Sequence, residues 1–327
     1  MEELSRDVEQ LFEAGQQLGK CTQSGARLAI FLMDNLAELM MHRTASHWLK
    51  CDKRWNRPPK YTPEKRRKVT EWFNEKVNFL WNETKELNEA EANVLKLGHR
   101  LRNEAYHRGV NRGAVIIAIA SIYYEVVCNL HPRMWVGHYS ITQDDEVIPN
   151  FFRSYGLEIG QQLINKAVLE QLSGKFLEGK LCKISDLARI LSDDLVTRLD
   201  GGLEALFYIA NNPRTSDDVL KHIQFYDKFW SEHTFPQTEE GARQYFQAWE
   251  MEYCSYTPSV TVARIERWRE RSISLASEAS LSMIVFKFDQ LDLEFLPVED
   301  KIIEAAVAYD MAIDQEVQRM KEERRER

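Results

Sequence analysis

The chain has 327 residues, 44% of them apolar and 29% charged, with only 14 Gly and 9 Pro. These values exclude a disordered or collagen-like chain, and the scarcity of breakers favours helices over strands and turns. The formal net charge of −8 excludes a protein that coats nucleic acid by bulk electrostatics, so any RNA contact must come from local basic patches.

Leu4, Val8, Leu11 and Phe12 open the chain at helical spacing. Ser24 reads as the start of a long second helix with the stripe Leu28, Phe31, Leu32, Leu36, Leu39 and Met40, running through Trp48 toward Cys51. Asn56, Arg57, Pro58, Pro59, Lys60 and Tyr61 form a loop, after which Thr62 caps a helix with Pro63 at its first position. One helix is expected to carry Val69, Trp72, Phe73, Val77 and Leu80. The next starts near Asn88, with Glu91 completing a capping box, and runs through Leu95, Leu101 and Ala105 to Gly109. A hydrophobic helix over 113–130 is ended by Pro132. Trp48 and Tyr106 read as core residues.

This pattern predicts an all-α protein. Residues 1–137 form a bundle of four or five helices, 138–150 a polar and acidic linker, and 151–327 a second helical domain. Breaks fall near 174–179, 211–213, 234–236 and 256–258, and the charged tail from Gln318 is expected to fray. No internal repeat is visible. The stretch 187–199 has a faint helix-turn-helix look but lacks the turn.

Cys21, Cys51, Cys128, Cys182 and Cys254 are odd in number and widely spaced, with no CxxC pair, so neither a zinc site nor a disulfide framework is indicated. That usage fits a reducing compartment. The N-terminal MEELSRDVEQLFEAG is acidic and amphipathic, unlike a signal peptide, and the apolar run 114–124 falls short of the roughly 20 residues of a membrane span. The expectation is a cytoplasmic protein with no membrane contact. Walker A, GxGxxG, HExxH and GxSxG motifs are all absent from the sequence, leaving nucleotide-driven, zinc-hydrolase and serine-hydrolase chemistry without support.

Metal-free RNA cleavage needs a group titrating near neutrality and cations that stabilise charge on the phosphate, roles suited to His and Arg. Of eight His, two have an Arg five to seven residues upstream: His107, after Arg100 and Arg102, and His138, after Arg133. Spacing alone is weak, because composition produces such matches by chance. Context separates them: Arg133 to His138 reads as a packed loop, whereas Arg102 to His107 lies near the end of an amphipathic helix with Asn103 directly after the Arg.

The string LRNEAYHRG over 101–109 resembles the R-N-x-x-x-H form of the Rx4–6H signature of HEPN-domain ribonucleases, found in toxin, defence and CRISPR-associated proteins. The helix around AIFLMDNLAEL and the apolar helix over 114–127 resemble the helices flanking that motif, so the likeness covers about the first 135 residues. The resemblance implies that Arg102 and His107 are catalytic and that Asn103 supports them. It also implies a metal-independent cut of single-stranded RNA by 2′-hydroxyl attack, without cofactor, at a site composed by two copies in a homodimer. A toxin or antiviral-defence role follows from the same likeness, with an antitoxin or defence-system protein as a further partner. Gly109 stands where the small HEPN toxins paired with nucleotidyltransferase antitoxins carry a Tyr, which sets this chain apart from that subgroup.

On a regular helix, residues five apart point about 140° away from one another, while Asn103 and His107 share a face. Arg100 also satisfies the spacing, as Rx6H. Candidate RNA contacts are Lys96, Arg100 and Arg108 on the motif helix and Arg54, Arg57 and Lys60 in the basic stretch 53–68, where Trp55 or Tyr61 could stack a base. A cluster at Arg264, Arg267, Arg269 and Arg271 reads as a solvated helix face paired with Glu266 and Glu270. The rival reading of the whole is a non-catalytic helical scaffold that binds RNA or protein.

Overall fold

The computed structural model of the chain describes residues 2–53, 59–108, 112–135, 139–140, 147–157, 163–178, 183–210 and 213–326, with the side chains at 2, 53, 105–108, 139–140, 147–149, 163–164 and 325–326 left aside. The fold is all-α. Among the described residues the strands amount to one two-residue antiparallel pair, Tyr139–Ser140 (β1) against Leu163–Ile164 (β2).

The chain divides into two compact units: the first comprises 1–190 with 278–286, the second 191–277 with 287–327. The division therefore falls well beyond the expected linker at 138–150, of which 141–146 lies outside the described residues.

In the first unit, Glu2–Gly19 (α1), Gln23–Lys53 (α2), Glu89–Arg108 (α5) and Gly113–Met134 (α6) pack together, and Lys166–Leu177 (α8) lies against α6 and α1. Short helices Pro63–Glu71 (α3), Phe73–Asn78 (α4) and Val147–Ser154 (α7) complete it. Packing explains why residues past 137 belong here. Phe12 of α1 meets Tyr155 edge-on at 5.0 Å and Phe176 of α8 at 6.0 Å, and the Tyr124 hydroxyl of α6 donates to the Phe176 carbonyl at 3.5 Å. Asn93 of α5 donates to Ser282 Oγ at 3.2 Å, which brings the 278–286 segment into the same unit.

Two caps are as expected. Thr62 accepts from Lys65 N–H at 3.2 Å with Pro63 following, and Asn88 and Glu91 exchange reciprocal bonds of 2.9 Å at the start of α5. Other expectations need correction. Thr22 rather than Ser24 caps α2, accepting from Gly25 N–H at 3.1 Å. The buried face of α2 is Ala26, Ala29, Ile30, Met33, Leu36, Ala37 and Met40, while Leu28 is exposed. The expected stripe was offset: Leu36 and Met40 belong to the buried face, but Ile30 and Met33 rather than Leu28, Phe31 and Leu32 fill it at its N-terminal end. Trp48 is 40% exposed and its indole donates to Glu86, so it is not core. Trp72 is extended (φ −105, ψ 129) and splits the helix expected over 63–80 into α3, α4 and a π turn, Phe79–Glu83. Pro132 sits inside α6, which runs on to Met134 because His131, Pro132 and Met134 are all buried. By length and composition α6 could cross a bilayer, yet most of it is buried inside the protein.

The second unit contains the end of Ile184–Ile209 (α9), then Ser216–Glu232 (α10), Glu239–Ser255 (α11), Val262–Leu275 (α12) and most of Leu281–Glu326 (α13). The breaks between α9 and α12 fall where the Asn-Asn-Pro, Thr-Phe-Pro and Tyr-Thr-Pro strings place them. The first break is also met, since α8 passes Gly174 and ends at Leu177, whereas α13 stays helical to Glu326 instead of fraying at Gln318. Because α9 is continuous across 187–199, there is no helix-turn-helix there. Buried Asp292 and partly buried Asp194 and Glu299 surround the Arg198 guanidinium, tying α9 to α13.

Candidate active site

Asp34 sits on the buried face of α2 with 2% of its surface exposed. A carboxylate in such a place must be met by donors. The Tyr123 hydroxyl of α6 donates to Oδ1 at 2.9 Å, and His99 Nδ1 of α5 lies 3.1 Å from each oxygen. An ionised carboxylate only accepts, so Nδ1 carries the proton. The imidazole is stacked on Phe73 at 3.8 Å with the planes 8° apart. Burial, and then the charge of Asp34, push the Tyr123 hydroxyl far above its ordinary range, so it remains a donor.

One turn on from His99, Arg102 joins the same carboxylate: its Nε lies 3.7 Å from Asp34 Oδ2, and the guanidinium lies 5.5 Å from the centre of the Phe31 ring. Arg102 Nη1 donates to Asn103 Oδ1 at 3.0 Å. Its side chain is 40% exposed, and at 3.7 Å the Nε is within ion-pair range of Asp34 but makes no hydrogen bond to it. Gly98 makes this convergence possible, since a Cβ there would meet the Tyr123 ring at 2.6 Å.

Of the expected catalytic group, Arg102 and Asn103 are therefore brought together, Asn103 by accepting from the arginine. The backbone of α5 stays helical through His107 to Arg108, but the side chains of His107 and Arg108 lie outside the described residues, as do Arg54, Trp55 and Arg57 entirely. His138 lies outside them too. Arg133 is structural: it pairs with Glu91 and donates to the Glu86 carbonyl at the opposite end of α5 from the motif.

The remaining RNA-contact candidates are engaged within the chain. Arg100 pairs with Glu104; Lys96 donates to Asn78 at 2.7 Å and lies 5.4 Å from the centre of the Trp81 ring. Lys60 donates to Glu83 at 2.9 Å. In the same basic stretch Lys65 pairs with Glu75, Arg66 with Asp52, Arg67 with Glu71 and Lys68 with Glu64, so its described cations are all balanced. Tyr61 packs edge-on against Phe79 at 5.2 Å rather than standing open to a base. Two of the four arginines of α12 are balanced, and by other helices than expected: Arg269 by Asp200 and Arg271 by Glu294.

Asp34, His99 and Tyr123 were missed in the sequence. The available signal was a charged residue interrupting the apolar stripe of α2, which burial obliges the fold to satisfy. Chemically, a carboxylate-held imidazole beside a half-open arginine offers an oriented proton carrier and an anion-binding fork. Among the described residues one set of groups could hold a metal ion, Glu232, His233 and Glu252, and it belongs to the second unit.

No protein-family model matches the chain, and no similar curated protein or solved structure is found. Fold and geometry define only a class: a helical protein whose bundle sets a tyrosine, a histidine and an arginine around a buried carboxylate.

Proposed function

We propose that the chain is a metal-independent endoribonuclease of the HEPN type, acting on single-stranded RNA as a homodimer in the cytoplasm, in a toxin or antiviral-defence role. The observation that supports this reading is the setting of Arg102. A guanidinium that lies near buried Asp34 (Nε–Oδ2 3.7 Å), donates to Asn103 and has 40% of its side chain exposed can meet a phosphate.

In the proposed reaction the His107 imidazole takes the proton of the 2′-hydroxyl and the 2′-oxygen attacks phosphorus. The P–O5′ bond breaks, the 5′-oxygen gains a proton, and the products carry a 2′,3′-cyclic phosphate and a 5′-hydroxyl. Arg102 neutralises the charge that builds on the phosphoryl oxygens. Because α5 is helical through both positions, 102 and 107 of one copy fall about 140° apart around the helix axis. In the proposed site a second copy brings its Arg102 to the His107 of the first, whereas Arg100, seven residues before His107, is the arginine position on the same face of one α5.

The rival reading, a non-catalytic scaffold, is favoured by the balanced charges of the described basic stretch. An oligoribonucleotide incubated with the chain in excess EDTA separates them. The nuclease reading expects cleavage with cyclic-phosphate ends, blocked where a 2′-deoxynucleotide replaces the residue 5′ of the cut. Binding without cleavage, or equal cleavage of the deoxy-substituted strand, contradicts it.

A further inference from the structure

At the end of α10 the chain turns through His233, whose extended backbone (φ −125, ψ 137) closes the helix by donating its N–H to the Phe229 carbonyl at 2.9 Å. The side chain is committed to the same carbonyl: Nδ1 lies 3.2 Å from it. A carbonyl oxygen only accepts, so Nδ1 carries the proton, and in the neutral ring Nε2 is a bare lone pair. Stacking on Phe229 at 4.1 Å, with the planes 13° apart, fixes the ring's direction. It aims Nε2 at Glu252 Oε1 of α11, 3.4 Å away. Glu232 supplies a third donor, and the three ligand atoms lie within 4.8 Å of one another.

Two acceptors that face each other at this distance need a cation between them, either a second proton on the ring or a metal ion. We propose that Glu232, His233 and Glu252 form a zinc-type divalent-cation site. Three features favour a metal. Tetrahedral zinc, with bonds of about 2.0–2.2 Å, sets its ligand atoms roughly 3.4 Å apart, as Nε2 and Oε1 already are. An Nδ1–H bonded to a backbone carbonyl is the usual outer support of a metal-bound histidine, fixing both tautomer and ring angle. A dication with two carboxylates and a neutral imidazole is charge-balanced, whereas a protonated ring between the same carboxylates leaves one negative charge over. The side chains of His233 and Glu252 are 33% and 40% exposed, so an ion can enter, and a fourth position is left for water. Bound metal would cross-link α10 to α11 over the connection 234–238. This site is independent of the nuclease reading.

The test uses the full chain, stripped with a chelator and titrated with zinc ion against a chromophoric competitor, with the melting temperature followed in parallel. Wild type is expected to take up zinc saturably and to melt higher as zinc rises. His233→Ala and Glu252→Ala are each expected to lose that uptake and that rise. His47→Ala, which alters the imidazole 3.6 Å from the Cys51 thiol, should keep both. Glu252 lies at the surface, so its variant stays readable if His233→Ala fails to fold. No saturable uptake, or uptake undiminished in Glu252→Ala, overturns the site. So does a wild type that ignores zinc while His233→Ala melts lower, which is the behaviour of an ion pair alone.

Discussion

His131 lies on α6 with 1% of its surface exposed, and neither ring nitrogen has a hydrogen-bond partner among the described residues. Burial, and then the charge of Arg43, push its pKa down to about 4 from 6.5. A depressed histidine is folded as the neutral form. Above pH 6.5 it carries no proton-linked penalty; below that, the unfolded chain binds a proton that the folded chain refuses. Stability is therefore lost as pH falls from about 6.5 to about 4, by roughly 3 kcal/mol in all. Urea unfolding across this window should show the loss in wild type and a shallower dependence in His131→Leu. The leucine removes two unpaired nitrogens from the core, so that variant is also expected to be the more stable at pH 5. Asp34 is the opposite case, a buried charge surrounded by Tyr123, His99 and Arg102. Neither residue stood out by spacing, because hydrophobic periodicity ranks apolar residues and says nothing about which polar exceptions are enclosed.

On the scale of elements, α5 and α6 meet at Gly98, where the Tyr123 ring takes the place of a side chain. Alanine in a helix interior ordinarily gains about 1 kcal/mol over glycine. At Gly98 the added carbon would sit 2.6 Å from a fully buried ring, an overpacking that costs about 1–3 kcal/mol and shifts the hydroxyl that Asp34 accepts from. Gly98→Ala is expected to lower unfolding stability, while Gly201→Ala on α9, with nothing within 4 Å, is expected to raise it. Equal effects at the two positions would contradict this packing. Elements whose ends rest on local chemistry were legible in the sequence: the Thr62–Pro63 start, the Asn88–Glu91 box and the proline breaks. Elements decided by contacts far along the chain were not. The buried face of α2 is decided by the helices that pack on it, Pro132 lies inside α6 among buried neighbours, and α8 joins the first unit through Phe176. Of the candidate site, Arg102 and Asn103 could be found from their string; the carboxylate behind them could not, since Asp34 is brought to α5 by tertiary packing.

For the molecule as a whole, a net charge of −8 repels RNA, and the described cations of the basic stretch are already balanced by carboxylates. In the proposed function, RNA affinity is carried by Arg102 and its counterpart in a second copy, with Arg54, Arg57 and the Arg108 side chain outside the described residues. Helix geometry is in keeping with a second copy, since positions 102 and 107 of one α5 fall about 140° apart around its axis. The composite ribonuclease site is the central claim, and mixing two inactive variants tests it most directly. Arg102→Ala and His107→Ala should each lose about 10²–10⁴ in cleavage rate. Denatured and refolded together at equal concentration, they form mixed dimers with one intact arginine–histidine pair across the interface. Random pairing then predicts recovery of about a quarter of the wild-type rate. Full cleavage by either variant alone, or no recovery in a mixture that demonstrably exchanges subunits, would contradict the account.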